Sequence, residues 1–217
     1  MHAIIAGVLA AILLQGAPSD GFEAVVSRVV DGDTLIVLRE DGRRLRVRLV
    51  NIDAPESRYK GSSQEPWASM AARRLARLAP KGSRVRVSTP AEALDRHGRT
   101  LGLVFRGETN VNLSLVREGL ALPYLVHPAM GMAVEFAGAC AEARREGRGL
   151  FAPGRALPEE PARFRLRLGG RAPYWWVGNL RTGRYGPPES FGRHLPEERI
   201  LFENEERAIA AGYAREE

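Results

Sequence analysis

The sequence predicts an α+β fold: a five-stranded β-barrel with three helices on its flank, followed by a small ββα unit. Three observations carry this. Short β-rich runs separated by hairpin turns begin at Phe22; longer stretches with apolar residues at helical spacing interrupt and follow them; and a Pro- and Gly-rich stretch then separates a second group of elements.

Residues 23–30, 34–38 and 45–51 read as strands, the third alternating Leu45, Val47 and Leu49 with Arg46, Arg48 and Val50. Asp31-Gly32 and Asp41-Gly42 supply the turns between them, because Asp and Gly accept the backbone angles that tight hairpins need. A helix over 64–78 sets Trp67, Met70, Ala71, Leu75 and Leu78 on one buried face and ends at Pro80-Lys81-Gly82. Residues 84–88 and 101–105 are two more strands, joined through a mostly polar connection. A short helix over 112–120 buries Leu113, Val116 and Leu120, and a third over 132–145 stops at Gly147 and Gly149. Three strands, a helix, two strands and two helices match a Greek-key barrel of the OB type. Such barrels often bind nucleic acid, but a fold does not decide a function.

Residues 3–14 are an uncharged apolar run. That is the length of a signal-peptide core, about 7–15 residues, and short of the roughly 20 needed to span a bilayer. Residues 1–21 are therefore expected to be a signal peptide or a membrane anchor, with the remainder secreted or in the cell envelope. Residues 22–152 form the barrel domain, 153–173 read as a linker, and 174–217 as a separate accessory module. Within it, 175–179 and 200–202 read as strands, 183–188 as a turn and 205–211 as a helix.

With 44% hydrophobic and 27% charged residues, the chain of 217 has the composition of a folded globular protein rather than a disordered one. Its formal charge is +6, and 21 Lys and Arg against 15 Asp and Glu lie between Phe22 and Pro153, so that stretch carries the whole excess. A basic domain captures polyanions, either nucleic acid or an anionic membrane surface. The single cysteine, Cys140, excludes an intramolecular disulfide, and its place in the stripe Met132, Phe136, Cys140, Ala143 marks it as a buried core residue.

The chemistry concentrates around the first hairpins. Pairing through the Asp31-Gly32 and Asp41-Gly42 turns can bring Asp33, Arg48 and Asp53 into one patch. Two carboxylates with a backbone carbonyl and water suit a hard cation such as calcium, and nothing there suits zinc. Two guanidinium groups facing a phosphate would neutralise the charge of a five-coordinate phosphorus. Arg48 is the first candidate. Arg99 is the second, in Asp95-Arg96-His97-Gly98-Arg99, where Gly98 lets the loop turn tightly.

Four segments, Val30-Asp31-Gly32-Asp33-Thr34, then residues 47–56, then 95–99, then 111–121, resemble in order and spacing the thermonuclease or staphylococcal nuclease family across residues 22–152. The resemblance implies an OB-fold, calcium-dependent phosphodiesterase that attacks DNA or RNA with water and leaves 3′-phosphate ends. Matched by position, Asp33 and Asp53 would bind calcium with the Ala54 carbonyl. Glu56 would orient or deprotonate the water, and Arg48 and Arg99 would clamp the phosphate. Arg96 and His97 stand where the family carries a lysine and a tyrosine; Tyr124, with His127 close after it, stands near the family's paired tyrosines. These four are the candidate substrate contacts, in a protein expected to be a monomer.

In the tail, residues 176–185, 197–202 and 205–213 resemble the small zinc-binding unit of bacterial DNA-methyl-damage response proteins. Ser190 stands where its first cysteine is expected and none follows Tyr213, so the tail is expected to be a zinc-free module, binding DNA through Arg181, Arg184 and Arg193 or packing on the barrel. The competing readings of the whole chain are a catalytically inactive OB-fold module that binds nucleic acid or protein, and an envelope anchor unrelated to nucleic acid. Presence of all five site residues, Asp33, Arg48, Asp53, Glu56 and Arg99, weighs against both.

Overall fold

The computed structural model describes residues 20–216. The apolar run at residues 3–14 lies outside them, and among the described residues no helix is long and apolar enough to cross a membrane.

Strands β1 (Asp20–Asp31), β2 (Thr34–Arg39) and β3 (Arg44–Leu49) form consecutive antiparallel hairpins. β1 also pairs with β5 (Arg84–Thr89), and β5 with β6 (Thr100–Arg106). β6 then closes the ring by running parallel to β3, Val47 opposite Thr100. The result is the expected five-stranded barrel with one parallel seam. Alternation makes it work: Leu35, Val37, Val47, Leu49, Val85 and Val87 are buried, while Arg44, Arg46, Arg84 and Arg86 point outward.

Three helices flank the barrel, as expected, with shifted ends. α1 (Trp67–Leu78) starts after Pro66 and buries Ala68, Ala71, Leu75 and Leu78. α2 (Val111–Arg117) follows the two-residue strand β7 (Thr109–Asn110), and Asn110 caps it by accepting from the Leu113 amide. α3 (Ala133–Arg145) buries Phe136, Cys140 and Ala143.

Elsewhere the structure departs from the sequence reading. The strand expected over 45–51 ends at Leu49. Asn51 adopts a left-handed φ of 65°, which asparagine tolerates better than most residues, and donates from Nδ2 to the Gly131 carbonyl at 2.6 Å. β4 (Asn51–Asp53) thereby leaves the barrel and pairs with β8 (Leu122–Val126), a strand not anticipated. Buried Asn112 holds the bend, donating to the Val50 and Gly102 carbonyls and accepting from the Val104 amide.

The stretch expected to be a linker contains α4 (Pro161–Gly169), opened by a proline in its first turn and closed by Gly170 at φ 60°. The tail is not a separate unit either. β9 (Trp176–Asn179), β10 (Arg184–Gly186), β11 (Arg199–Phe202), α5 (Glu205–Ala210) and β12 (Ala214–Arg215) follow, and β11 pairs in parallel with β8. One sheet, in the order β12-β10-β9-β11-β8-β4, therefore joins the tail to the barrel domain. Tyr185, Ile200, Phe202 and Tyr213 share a single buried cluster with the barrel and α3. The physical reason is β8's hydrogen-bonding edge, which β11 satisfies.

Candidate active site

Asp33 leaves the β1–β2 turn where the strand register slips. Gly32 is required there: a Cβ would lie 2.6 Å from the Cβ of Ala54 and 2.8 Å from that of Ala71. This close approach lets Asp33 Oδ2 accept from the Ala54 amide at 2.9 Å, while the Asp33 carbonyl accepts from Leu49 at 2.8 Å. Thr34 is the register partner of Arg48, so the Arg48 side chain falls beside Asp33. Its Nη2 lies 3.2 Å from both Asp33 Oδ2 and Asp53 Oδ1, and its Nη1 donates to the Ile52 carbonyl at 2.8 Å. The bend at Asn51 turns β4 so that buried Asp53 meets them. Glu56 follows after Pro55, its amide donating to Gln64 Oε1 at 3.1 Å.

A residue that the sequence reading missed completes this cluster. Arg165, on α4, donates from Nη1 to Asp53 Oδ1 at 2.8 Å and to Glu56 Oε1 at 2.6 Å, and from Nη2 to Asp53 Oδ2 at 2.9 Å. Burial works against its charge, but the two carboxylates outweigh burial and hold the guanidinium more firmly protonated than a free arginine. Burial pushes the Glu56 carboxyl up to about 7; Arg165 opposes the rise and the neighbouring charges of Asp53 and Asp33 add to it. Burial, with the Asp33 charge, likewise raises Asp31 to about 6.

Thus Asp33, Arg48, Asp53, Ala54 and Glu56 come together. Arg99 pairs instead with Asp95, Nε to Oδ2 at 2.7 Å, and among the described residues no hydrogen bond or ion pair joins it to the others. Arg96 and His97 lie exposed on the same loop. Tyr124 is partly buried against the cluster of Ala162, Val177, Phe191 and Leu201, which pushes its phenol up to about 12. The His127 amide donates to the Leu201 carbonyl, and its ring packs on Phe202 with centroids 5.3 Å apart. Both therefore lie against the C-terminal layer. In that layer Arg181 pairs with Glu198 at 2.8 Å, Arg184 donates to the Arg215 carbonyl at 3.0 Å, and Arg193 is exposed. The buried Ser190 hydroxyl donates to the Pro187 carbonyl at 2.7 Å.

The donor chemistry fits a hard cation. Asp33 Oδ2 and Asp53 Oδ1 converge on one nitrogen of Arg48, and the Ala54 carbonyl follows Asp53 in the chain, an all-oxygen set. In the arrangement seen, no group of three or more His, Cys, Asp or Glu side chains among the described residues is disposed to hold a metal, and Arg165 engages both Asp53 oxygens and Glu56 Oε1.

The sequence matches the family described as Staphylococcal nuclease homologue over residues 46–153. It is 35% identical over 177 residues to the micrococcal nuclease of Shigella flexneri, covering 76% of this chain and 93% of that one. The chain belongs to the staphylococcal nuclease family. Another relative, Endonuclease YhcR of Bacillus subtilis, is 31% identical over 202 residues, 89% of this chain but 17% of that one. A third, the thermonuclease of Staphylococcus intermedius, is 38% identical over 101 residues, 46% of this chain and 59% of that one. The chain thus spans a small part of YhcR and a little over half of the thermonuclease. A likeness covering 89% of this nuclease-family chain must run past residue 153 and across α4, so the segment bearing Arg165 belongs to the shared stretch.

Proposed function

We propose that this chain is a nuclease that hydrolyses phosphodiesters of DNA or RNA, with a calcium ion held by Asp33, Asp53 and the Ala54 carbonyl, leaving 3′-phosphate ends. The observation that carries this reading is the convergence of Asp33, Arg48, Asp53 and Glu56 at one end of a staphylococcal nuclease-type barrel. Calcium bound there would act as a Lewis acid on a phosphoryl oxygen. Glu56 receives the proton of the attacking water, and a carboxyl raised to about 7 is well placed for that at neutral pH. Arg48 and Arg99 supply positive charge to the phosphate, and exposed Arg96 and His97 meet the substrate on the same loop. Tyr124, on β8, borders the cluster, with the Arg165 guanidinium 6.0 Å from its ring centre, whereas the His127 ring packs on Phe202. The surplus positive charge of residues 22–153 draws in the polynucleotide. Residues 3–14 direct the protein out of the cytoplasm, as a secreted or membrane-attached enzyme, and it acts as a monomer.

Digestion of linear DNA and of RNA in calcium, against the same reaction in EGTA, tests this. Cleavage that EGTA stops, with ends that phosphatase trims, supports it; no cleavage with any divalent ion overturns it. One observation favours the second reading, binding without turnover: Arg165 ties up the carboxylates that the reaction needs. DNA retained in a gel shift but never cut would be its signature.

A further inference from the structure

The carboxylates that the proposed reaction needs are held by a segment outside the family-matched residues. Arg165 makes a two-pronged contact with both oxygens of Asp53 and a third bond to Glu56. The guanidinium in this fork geometry stands 2.8 and 2.9 Å from the two Asp53 oxygens, so a metal ion approaching the same side of the carboxylate must displace it. The segment around it is tied down on both sides. Trp67 Nε1 donates to the Arg155 carbonyl at 2.9 Å, and Gln64 Nε2 to the Glu159 carbonyl at 2.7 Å. Arg199 pairs with Glu160, and Arg171 Nη2 lies 3.3 Å from the Tyr59 hydroxyl. Beside Asp53, the crevice lined by Tyr124, Pro161, Phe191 and Arg199 holds about 10 Å³, room for roughly one water molecule.

We propose that residues 155–171 form an autoinhibitory strap in which the Arg165 guanidinium withholds the Asp53 carboxylate from the cation and Glu56 from the water, and that a divalent cation displaces it, with polynucleotide adding to the shift. This rests on the nuclease reading above. The strap is built to move. Its helix has nine residues, too few to be stable alone, and buries only Pro161, Ala162 and Phe164. Pro153, Gly154 and Pro158 precede the helix, and Gly169 and Gly170 end it. Opening changes the local charge balance in a way that calls for a metal: without Arg165, Glu56 loses its ion-pair partner, and Asp33 and Asp53 share the one guanidinium of Arg48. The released segment carries Arg163, Arg165, Arg167 and Arg171, which suit phosphates. Each trigger therefore binds the open state better than the closed one, as a population shift requires.

The test uses the full chain and compares it with Arg165→Gln and with Trp67→Phe, which removes one anchor without touching the site. Calcium affinity is measured by titration calorimetry without nucleic acid, and protection of residues 155–171 by hydrogen exchange with and without calcium. If the strap is closed nine parts in ten, Arg165→Gln binds calcium about tenfold more tightly, since apparent affinity scales with the open fraction. Trp67→Phe shifts affinity the same way by less, and the strap amides of the wild type lose protection when calcium is added. Equal affinity in all three proteins, or weaker binding in Arg165→Gln, overturns the strap, as does undiminished protection in saturating calcium. Calcium bound by none of them overturns both the strap and the calcium assignment. Tighter calcium binding by Arg165→Gln, with no nucleic acid cleaved by any of the proteins, supports the strap and overturns the nuclease reading instead.

Discussion

Glu56 shows how one buried carboxyl can cost stability. Burial raises its carboxyl from 4.5 to about 7, Arg165 notwithstanding, and Asp31 rises from 3.8 to about 6 by burial beside the Asp33 charge. For both, the folded state holds a proton that the unfolded chain gives up. The penalty is absent below the unfolded values and grows as pH rises through 6 and 7. In EGTA the melting temperature should therefore fall between pH 5 and pH 8, and Glu56→Gln should flatten part of that fall; an unchanged slope would rule Glu56 out as its source. The same substitution should lower kcat by roughly 10²–10⁴-fold, the usual contribution of a positioned base. Arg99→Ala should lower turnover by roughly 10²-fold while changing stability by less than about 1 kcal/mol, because its pair with Asp95 is partly solvated. Asp33, Arg48, Asp53 and Glu56 were legible in the sequence because they lie on and just after two adjacent hairpins. Arg165 was not, being one arginine among many, with partners 112 and 109 positions away.

At the scale of elements, strands that alternate between core and solvent could be read directly, whereas those that do not alternate were missed. β8 is covered on one side by α3 and packs its other side against the C-terminal layer, so Leu122-Pro123-Tyr124-Leu125-Val126 lacks the period of two. β4 is three residues long. α4 did leave a signal, Pro161 at its start and a Gly pair at its end, outweighed by the Pro- and Gly-rich stretch before it. What joins the elements is tested by two substitutions. Gly32→Ala forces a methyl group against Ala54 and Ala71 and should cost about 1–3 kcal/mol in urea unfolding, the range for overpacking. Asn112→Ala strips partners from two carbonyls and an amide at the β3–β4 bend and should cost about 3 kcal/mol, with m unchanged. A cost under half of that would mean water replaces the side chain.

Across the whole molecule, the tail is a layer of the same structure. Burial raises the Cys140 thiol well above its ordinary range, and the Glu197 carboxylate, itself held by Arg144 at 2.7 Å, adds to the rise. In the intact chain Cys140 should resist alkylation at pH 8. Truncation after residue 153 removes Glu197 and bares the β8 edge at Leu125 and Val126, so the shortened chain should aggregate and its thiol should react. A soluble, cooperatively folding truncation with a protected thiol would show that the barrel needs no second sheet. Periodicity, turn chemistry and the order of charged residues are local properties of the chain. For that reason the sequence by itself determined the closed barrel, its three flanking helices and the set Asp33, Arg48, Asp53 and Glu56. Which strand covers the β8 edge, and which cation settles on Asp53 and Glu56, depend on groups left unsatisfied once the barrel has closed. Their partners lie far along the chain, and only the tertiary structure decided them.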